Sequence, residues 1–385
     1  MDTEEETEEH RVNLAGDPSN GAMVQRNLHH HLPLNMRLEI VSRLPIDSLI
    51  RFKTTSRAGY DLIADPGLPP LFRKQVSDSN PCLILFRKGS AANRGLCFVG
   101  SEDYNRRVRN IDPPQQSEVD DLVGSSHGLL CLSLIGGSSE SHSLLIYNPF
   151  VGDAVRVPPA HQFLNESEDF GFGFHPRTGE FKVVRIVLCA PEELVVQVFT
   201  IGTTEWRTIG APPPQLLDVI GPPQALVEGS LHWLMVVRRE RVDPIFGIIS
   251  FEFADEVFEQ IPHPPCEQFV SRGYSLSVLN GCLSAAGFFD ALHFGIWVMK
   301  QYHVKESWVK QFSFEWPSSS TIFPRPICAL KNGEILLQNN DSLVSYDPVE
   351  KRFKTLQMSG LPYWFDALPF LPSLFSARAT MNLQP

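Results

Sequence analysis

Chemistry by a polypeptide needs nucleophiles, proton carriers or metal ligands at workable spacing, so the histidines and cysteines come first. His127, His142, His161, His175, His232, His263, His293 and His303 are strewn along the chain one or two at a time. None forms the close pair from which zinc or copper sites are built. His232 alternates with Leu231 and Trp233, the pattern of a histidine satisfied within a strand. His29, His30 and His31 are adjacent, but on a polar stretch they read as solvated side chains. The seven cysteines (Cys82, Cys97, Cys131, Cys189, Cys266, Cys282, Cys328) are odd in number and contain no CxxC pair, which predicts buried, reduced residues. Gly171-Phe172-Gly173 lacks the third glycine of a dinucleotide loop and reads as a turn between strands. No GxSxG elbow, P-loop or HExxH run occurs. Trp206, Trp233, Trp297, Trp308, Trp316 and Trp364 are expected in the core rather than around a ligand. Neither a metal nor a cofactor is expected, and no catalytic residue is assigned.

Binding is the remaining chemistry. Tyr104-Asn105-Arg106-Arg107-Val108-Arg109 is the most basic tract outside the helical stretch at 32–75 and reads as a solvated hairpin tip. Its Tyr104, Arg106, Arg107 and Arg109 are candidates for gripping an acidic target. The formal net charge of −11 argues against nucleic-acid binding, which needs clustered cations. No apolar run approaches the ~18–20 residues of a membrane helix. The start, MDTEEETEEH, is acidic where a secretory signal is basic then apolar, so the expected location is the nucleus or cytoplasm.

The elements that would position these groups fall into three stretches. Residues 1–31 are acidic and polar and predict a disordered tail. Residues 32–75 change to helical periodicity: Leu34, Leu38 and Val41 form one stripe, and Ile40 and Leu44 a second, before Pro45. Ile46, Leu49, Ile50 and Phe52 supply a second helix, and Tyr60, Leu62 and Ile63 a third, ended by Asp65-Pro66-Gly67. So short a bundle buries little by itself, so its spare apolar surface must meet either the next domain or a partner.

From residue 76 the chain turns to short β-type runs with a period. Gly128, Gly179, Gly229, Gly281 and Gly333 are 51, 50, 52 and 52 residues apart, each leading into an apolar run. Tyr147, Phe199, Phe251, Met299 and Tyr346 keep a similar period, and an aromatic follows seven positions on in Trp206, Phe258 and Phe353. These describe hairpins whose aromatics enter the apolar layer, while Thr204, Glu256 and Glu350 sit in polar turns. A weaker copy lies at 81–86 and 96–100, with Phe98 in the aromatic position. A period near ~50 predicts a kelch-like β-propeller of five or six blades at 76–385, with a strand from one terminus closing the ring.

Two tracts then match a known family. Leu32-Pro33, Leu44-Pro45, Leu49-Ile50-Arg51-Phe52 and Leu62-Ile63 resemble the F-box, a three-helix motif; Gly59 stands where that motif carries Trp, with Tyr60 next to it. SSHGLLCL, IYNP, GFGFHPRTGEFKVVRI, Trp206-Arg207, GSLHWL, IISFEF, IWVMKQYHVKESWVK and NGEILL, in that order, resemble the F-box-associated region of plant F-box proteins. The resemblance implies the substrate-recognition subunit of a Skp–cullin–F-box ubiquitin ligase. Such a subunit docks on a Skp-type adaptor, and through it on cullin and RING subunits, and holds a protein target while other subunits transfer ubiquitin. It implies adaptor contacts by Leu32, Pro33, Ile40, Leu44, Pro45, Leu49, Ile50 and Phe52. It leaves the target unnamed. Two other readings stay open, a propeller scaffold without a ligase and a kelch-type metalloenzyme. Gly59 puts the packing of the third helix in question, and Tyr60 could supply an aromatic ring from the next position.

Overall fold

The computed structural model describes residues 32–385 except 64, 66, 78, 91–92, 102–103, 105–106, 115–117, 136–142, 162–166, 190–192, 211–215, 220–224, 240–241, 268, 270–273, 317–323 and 379–385. The expected tail at 1–31, with its three histidines, lies outside the described residues. The chain divides into two compact units, Met1–Leu71 and Phe72–Pro385, a few residues from the boundary expected at 75/76.

In the first unit, α1 (Leu34–Ser42) follows Pro33, whose extended ψ of 150° sets the entry. Leu38 and Val41 are its buried apolar positions. Pro45 then opens α2 (Ile46–Thr55), with Ser48 and Leu49 donating their amides to its carbonyl. The Ser56 hydroxyl caps α3 (Arg57–Ile63) by accepting the Gly59 amide at 3.0 Å. The division between the units falls within α4 (Leu68–Ser77).

The second unit is a six-bladed propeller. Its first blade has β1 (Cys82–Arg87), β2 (Gly95–Val99) and β3 (Arg109–Ile111); the second has β4 (Val119–Ser126), β5 (Leu129–Leu134), β6 (Ser143–Asn148) and β7 (Asp153–Arg156). The third is β8 (Ser167–His175), β9 (Glu180–Cys189), β10 (Glu193–Thr200) and β11 (Arg207–Ile209). In the fourth, β12 (Leu216–Val219) and β13 (Ala225–Val227) share the flank of β14 (Ser230–Arg239), followed by β15 (Val242–Glu252) and β16 (Val257–Ile261). The fifth runs β17 (Ser275–Leu279), β18 (Cys282–Phe288), β19 (His293–Met299) and β20 (Trp308–Glu315), and the sixth β21 (Arg325–Ala329), β22 (Ile335–Asn339), β23 (Ser342–Asp347) and β24 (Arg352–Thr355). The last strand, β25 (Phe365–Phe370), returns to the first blade and pairs with β1 from Phe370 opposite Cys82 to Phe365 opposite Arg87. First strands then neighbour one another around a closed circle, with β25 between β21 and β4.

The glycine repeat marks the turn between the first two strands of a blade. All five glycines have positive φ, from 72° to 88°. At three of these turns the residue before is also positive (His127 50°, Glu228 52°, Asn280 51°), as two-residue hairpins matching strand twist require. The first blade lacks the marker because β25 and β1 come from distant parts of the chain and no turn joins them.

The aromatic repeat marks the third strand. Tyr147, Phe199, Phe251, Met299 and Tyr346 are all buried, and Phe98 occupies the same place in the first blade. Phe258 lies directly opposite Phe251, and Phe353 opposite Tyr346, each pair with ring centroids 4.8 Å apart. Trp206, Phe258 and Phe353 are, however, half-buried, because the fourth strands are short outer edges. Six hydrophobic clusters hold the ring, and each draws its residues from two neighbouring blades.

Two expectations fail at the junction of the third and fourth blades. Gly171 and Gly173 are inside β8, not in a turn. A Cβ on Gly171 would meet Leu231 at 2.4 Å and Trp233 at 2.7 Å, and one on Gly173 would meet Phe253 at 2.3 Å. Glycine is needed there so that the fourth blade's large side chains can seat against the strand. Glu256, expected in a solvated turn, has φ 56° and a side chain only 14 % exposed. Its carboxylate accepts from Lys182 Nζ at 2.9 Å, and from Arg207 Nη1 and Nη2 at 3.0 and 2.6 Å. Thr204 and Glu350 are exposed as expected.

Candidate interaction surfaces

The helical unit sorts the apolar residues of its stripes into two groups. Leu49 is fully buried, so it is core of the bundle and not a contact surface, which corrects its assignment to the adaptor face. Leu44 and Phe52 are half-buried, Pro33 and Pro45 exposed, and the side chain of Ile50 lies outside the described residues. Leu32, Leu34, Met36 and Ile40 are between 40 and 51 % exposed. Met36 and Ile40, one helical turn apart on α1, border a groove shared with Gly67, Pro70 and Leu71. Leu34 and Met36 are exposed apolar residues that the expected contact set lacks; their signal was an apolar residue on both sides of Asn35 at the entry to a short helix.

Gly59 is not a gap filled by Tyr60. Tyr60 is exposed, with Lys53 Nζ 5.7 Å from its ring centroid, while a Cβ on Gly59 would lie 2.4 Å from the Phe52 carbonyl oxygen. Here α2 and α3 touch backbone to backbone. Gly59→Ala should therefore destabilise this unit by about 1–3 kcal/mol despite alanine's better helix propensity. Faster amide hydrogen exchange over residues 46–63 is the readout; slower exchange would mean the helices can part at no cost.

The basic tract is partly anchored. Tyr104 is buried and its hydroxyl donates to the Pro81 carbonyl; burial raises its pKa, so it is withdrawn from any binding role. Arg109 lies with its guanidinium carbon 4.8 Å from the Phe98 ring centroid. Arg107 is exposed and bridges to Ser359, whose carbonyl accepts the Val108 amide at 3.0 Å. Arg106 lies outside the described residues. A few positions beyond Ser359, Tyr363 and Trp364 are 86 and 62 % exposed, so Trp364 is not core as expected. Lys88 donates its amide to the Trp364 carbonyl at 2.8 Å, which fixes the backbone beneath this aromatic pair. Two adjacent exposed aromatics, Tyr and Trp, have the composition of a binding hot spot; they lie at the Arg87 end of β1, whereas Arg107 lies toward its Cys82 end.

Histidines are structural where their contacts are defined. His232 is fully buried, with Nε2 2.8 Å from the Tyr302 hydroxyl and Nδ1 3.2 Å from the Ala225 carbonyl. Burial pushes its pKa down to about 4, keeping the ring neutral. His175 accepts the Arg177 amide on Nδ1 at 3.1 Å, and its Nε2 lies 2.8 Å from Glu252. Among the described residues no three His, Cys, Asp or Glu side chains are grouped to hold a metal.

The sequence tracts that suggested a family have architectural duties. Asn148 of IYNP accepts the Phe150 amide at 2.9 Å and donates to the carbonyls of Ser373 and Phe375 at 3.0 and 2.7 Å. It thereby ties the segment after β25 to the second blade. Trp206 donates its indole N–H to the Pro158 carbonyl at 2.8 Å, and the glycines of GFGF admit the fourth blade. Residues 101–360 match the F-box associated beta propeller domain family. F-box protein At3g07870 of Arabidopsis thaliana is 33% identical over 87% of this chain and 89% of its own length. F-box protein CPR1, from the same plant, is 27% identical over 89% and 88%. F-box/kelch-repeat protein At3g23880, also from Arabidopsis thaliana, is 23% identical over 90% and 96%. The order of blades, the residues that close them and these likenesses agree: the chain belongs to the plant F-box proteins that carry an F-box-associated β-propeller domain.

Proposed function

We propose that this protein is the substrate-recognition subunit of a Skp–cullin–F-box ubiquitin ligase, acting in the nucleus or cytoplasm. The helical unit docks on a Skp-type adaptor and the propeller holds a protein target. The observation that carries the reading is the apolar surface of Leu32, Leu34, Met36 and Ile40, left outside the bundle core at the start of the family's helical motif. Membership of the F-box family supports it. On this reading the chain performs no chemistry. It raises the effective concentration of a target lysine near the conjugating enzyme, and the ligase's other subunits supply catalysis. Tyr363 and Trp364 are the proposed contribution to the target face.

Full-length protein should co-purify with a plant Skp-type adaptor. Ile40→Asp, or Met36→Asp with it, places a carboxylate in a desolvated contact and should weaken that binding by roughly 30-fold or more, the scale of a hot-spot loss of ~2 kcal/mol. The propeller's melting should be unchanged. Adaptor binding that survives the double substitution would place the docking surface elsewhere.

A further inference from the structure

The first strands of the blades enclose a cavity of about 310 Å³ at the centre of the ring. Its wall is mainly apolar, with Val123, Phe172, Leu231, Leu276, Ile327 and Leu368 each from a different blade. Arg325, at the start of β21, is the one Lys or Arg side chain in that wall among the described residues. Its Nη2 donates to Gln338 Oε1 at 3.0 Å and to the Ala367 carbonyl at 2.7 Å, both neutral acceptors. Gln338 is itself held: it accepts the Ala367 amide at 3.0 Å and donates to the carbonyls of Phe365 and Asn340. Arg325 forms no ion pair among the described residues, and the neighbouring Asp366 is paired with Lys88 at 2.6 Å. A cation in low-dielectric surroundings is costly without a counter-charge, and a guanidinium presents a fork suited to a carboxylate.

We propose that this axial cavity binds a small amphipathic monocarboxylate, its carboxylate on the Arg325 fork and its apolar body among the channel side chains. One cation matches the single negative charge of a carboxylate better than the two of a phosphate. The volume is at the lower end of the ~300–1,000 Å³ range of small-molecule pockets, which suits a short acyl chain rather than a long lipid. Gln338 is a positioning residue, because it fixes the guanidinium without itself lining the cavity. The inference does not depend on adaptor docking.

Calorimetric titration of the full-length protein with octanoate, octan-1-ol and octyl phosphate tests it. Octanoate should bind at one site, more tightly than either the alcohol or the phosphate. Arg325→Gln should weaken octanoate roughly 10-fold or more, as expected for loss of a charge-assisted contact, and leave octan-1-ol unchanged. Gly124→Val is the independent arm, informative even where removing the arginine disturbs β21. A Cβ at Gly124 meets Phe172 only at ordinary distances of 3.5–3.9 Å, so the added bulk should narrow the cavity and weaken octanoate with Arg325 intact. Octanoate that fails to bind the folded wild type, binds undiminished to folded Arg325→Gln or to Gly124→Val, or is matched by octan-1-ol would overturn the assignment.

Discussion

A chain ended at Pro362 should lose the cooperative unfolding transition of the β-rich unit altogether. The deletion removes β25, whose Phe365 and Ala367 belong to the cluster joining the sixth and first blades and whose Phe370 belongs to the cluster joining the first and second. Burying each phenylalanine contributes about 1.5–3 kcal/mol, and the loss also bares both clusters and the hydrogen-bonding edge of β1. Together these approach the whole ~5–15 kcal/mol stability of a typical domain. The segment that follows is part of the same clasp. Ala377 is fully buried, and Asp153 accepts its amide at 3.2 Å. A chain ended at Arg378 should therefore melt like the full-length protein. Circular dichroism melts of the two truncations decide the matter, and a cooperative transition at the full-length midpoint for the shorter one would show that the ring holds without its closing strand.

Glu256→Gln should cost about 2–4 kcal/mol, although the residue sits in a turn. Lys182 is only 5 % exposed, and its Nζ donates to the Phe253 carbonyl at 2.7 Å as well as to Glu256. Neutralising the carboxylate leaves that buried ammonium with Glu180 at 3.4 Å and releases Arg207. Burial alone would raise the pKa of Glu256, but hydrogen bonds from Arg207 and Lys182, with their charges, hold it below its ordinary 4.5. The folded pKa lies below the unfolded one. The wild-type contribution is thus fully present above about pH 4.5 and is lost as pH falls through the folded value. Denaturant melts at pH 7 and pH 3.5 should show the difference between wild type and variant shrinking at the lower pH; a constant difference would assign the loss to geometry rather than charge.

What could be read from the sequence was whatever a blade demands of its own local chain. A positive-φ turn needs glycine in every copy, and the third strand needs a large buried side chain, so both repeats were visible with the right period. What could not be read were residues whose reason lies on another blade or helix. Gly171 answers to Leu231 and Trp233, Glu256 to Lys182 and Arg207, and Gly59 to the Phe52 carbonyl. Apolar character likewise says nothing of direction. Leu49 and Ile40 belong to the same stretch, yet one is core and the other faces outward, and Trp364 is exposed where Trp233 is fully buried. Family motifs were informative about architecture, since Asn148 ties down the segment after β25 and the GFGF glycines admit the neighbouring blade.

The pairing of β25 with β1 also sets a timetable for biosynthesis. Strand β1 leaves the ribosome early, but the strand that covers its edge ends the sheet at Phe365–Phe370. At about 5–20 residues per second, the stretch between Arg87 and Phe365 takes roughly 14–56 s to make. Throughout that interval the first blade carries an unpaired edge and half of two apolar clusters, a template for wrong strand partners. The helical unit, made of local contacts and complete by then, is free of this delay. A nascent chain is therefore able to fold its helical end while the edge of its first blade is still open to neighbouring chains.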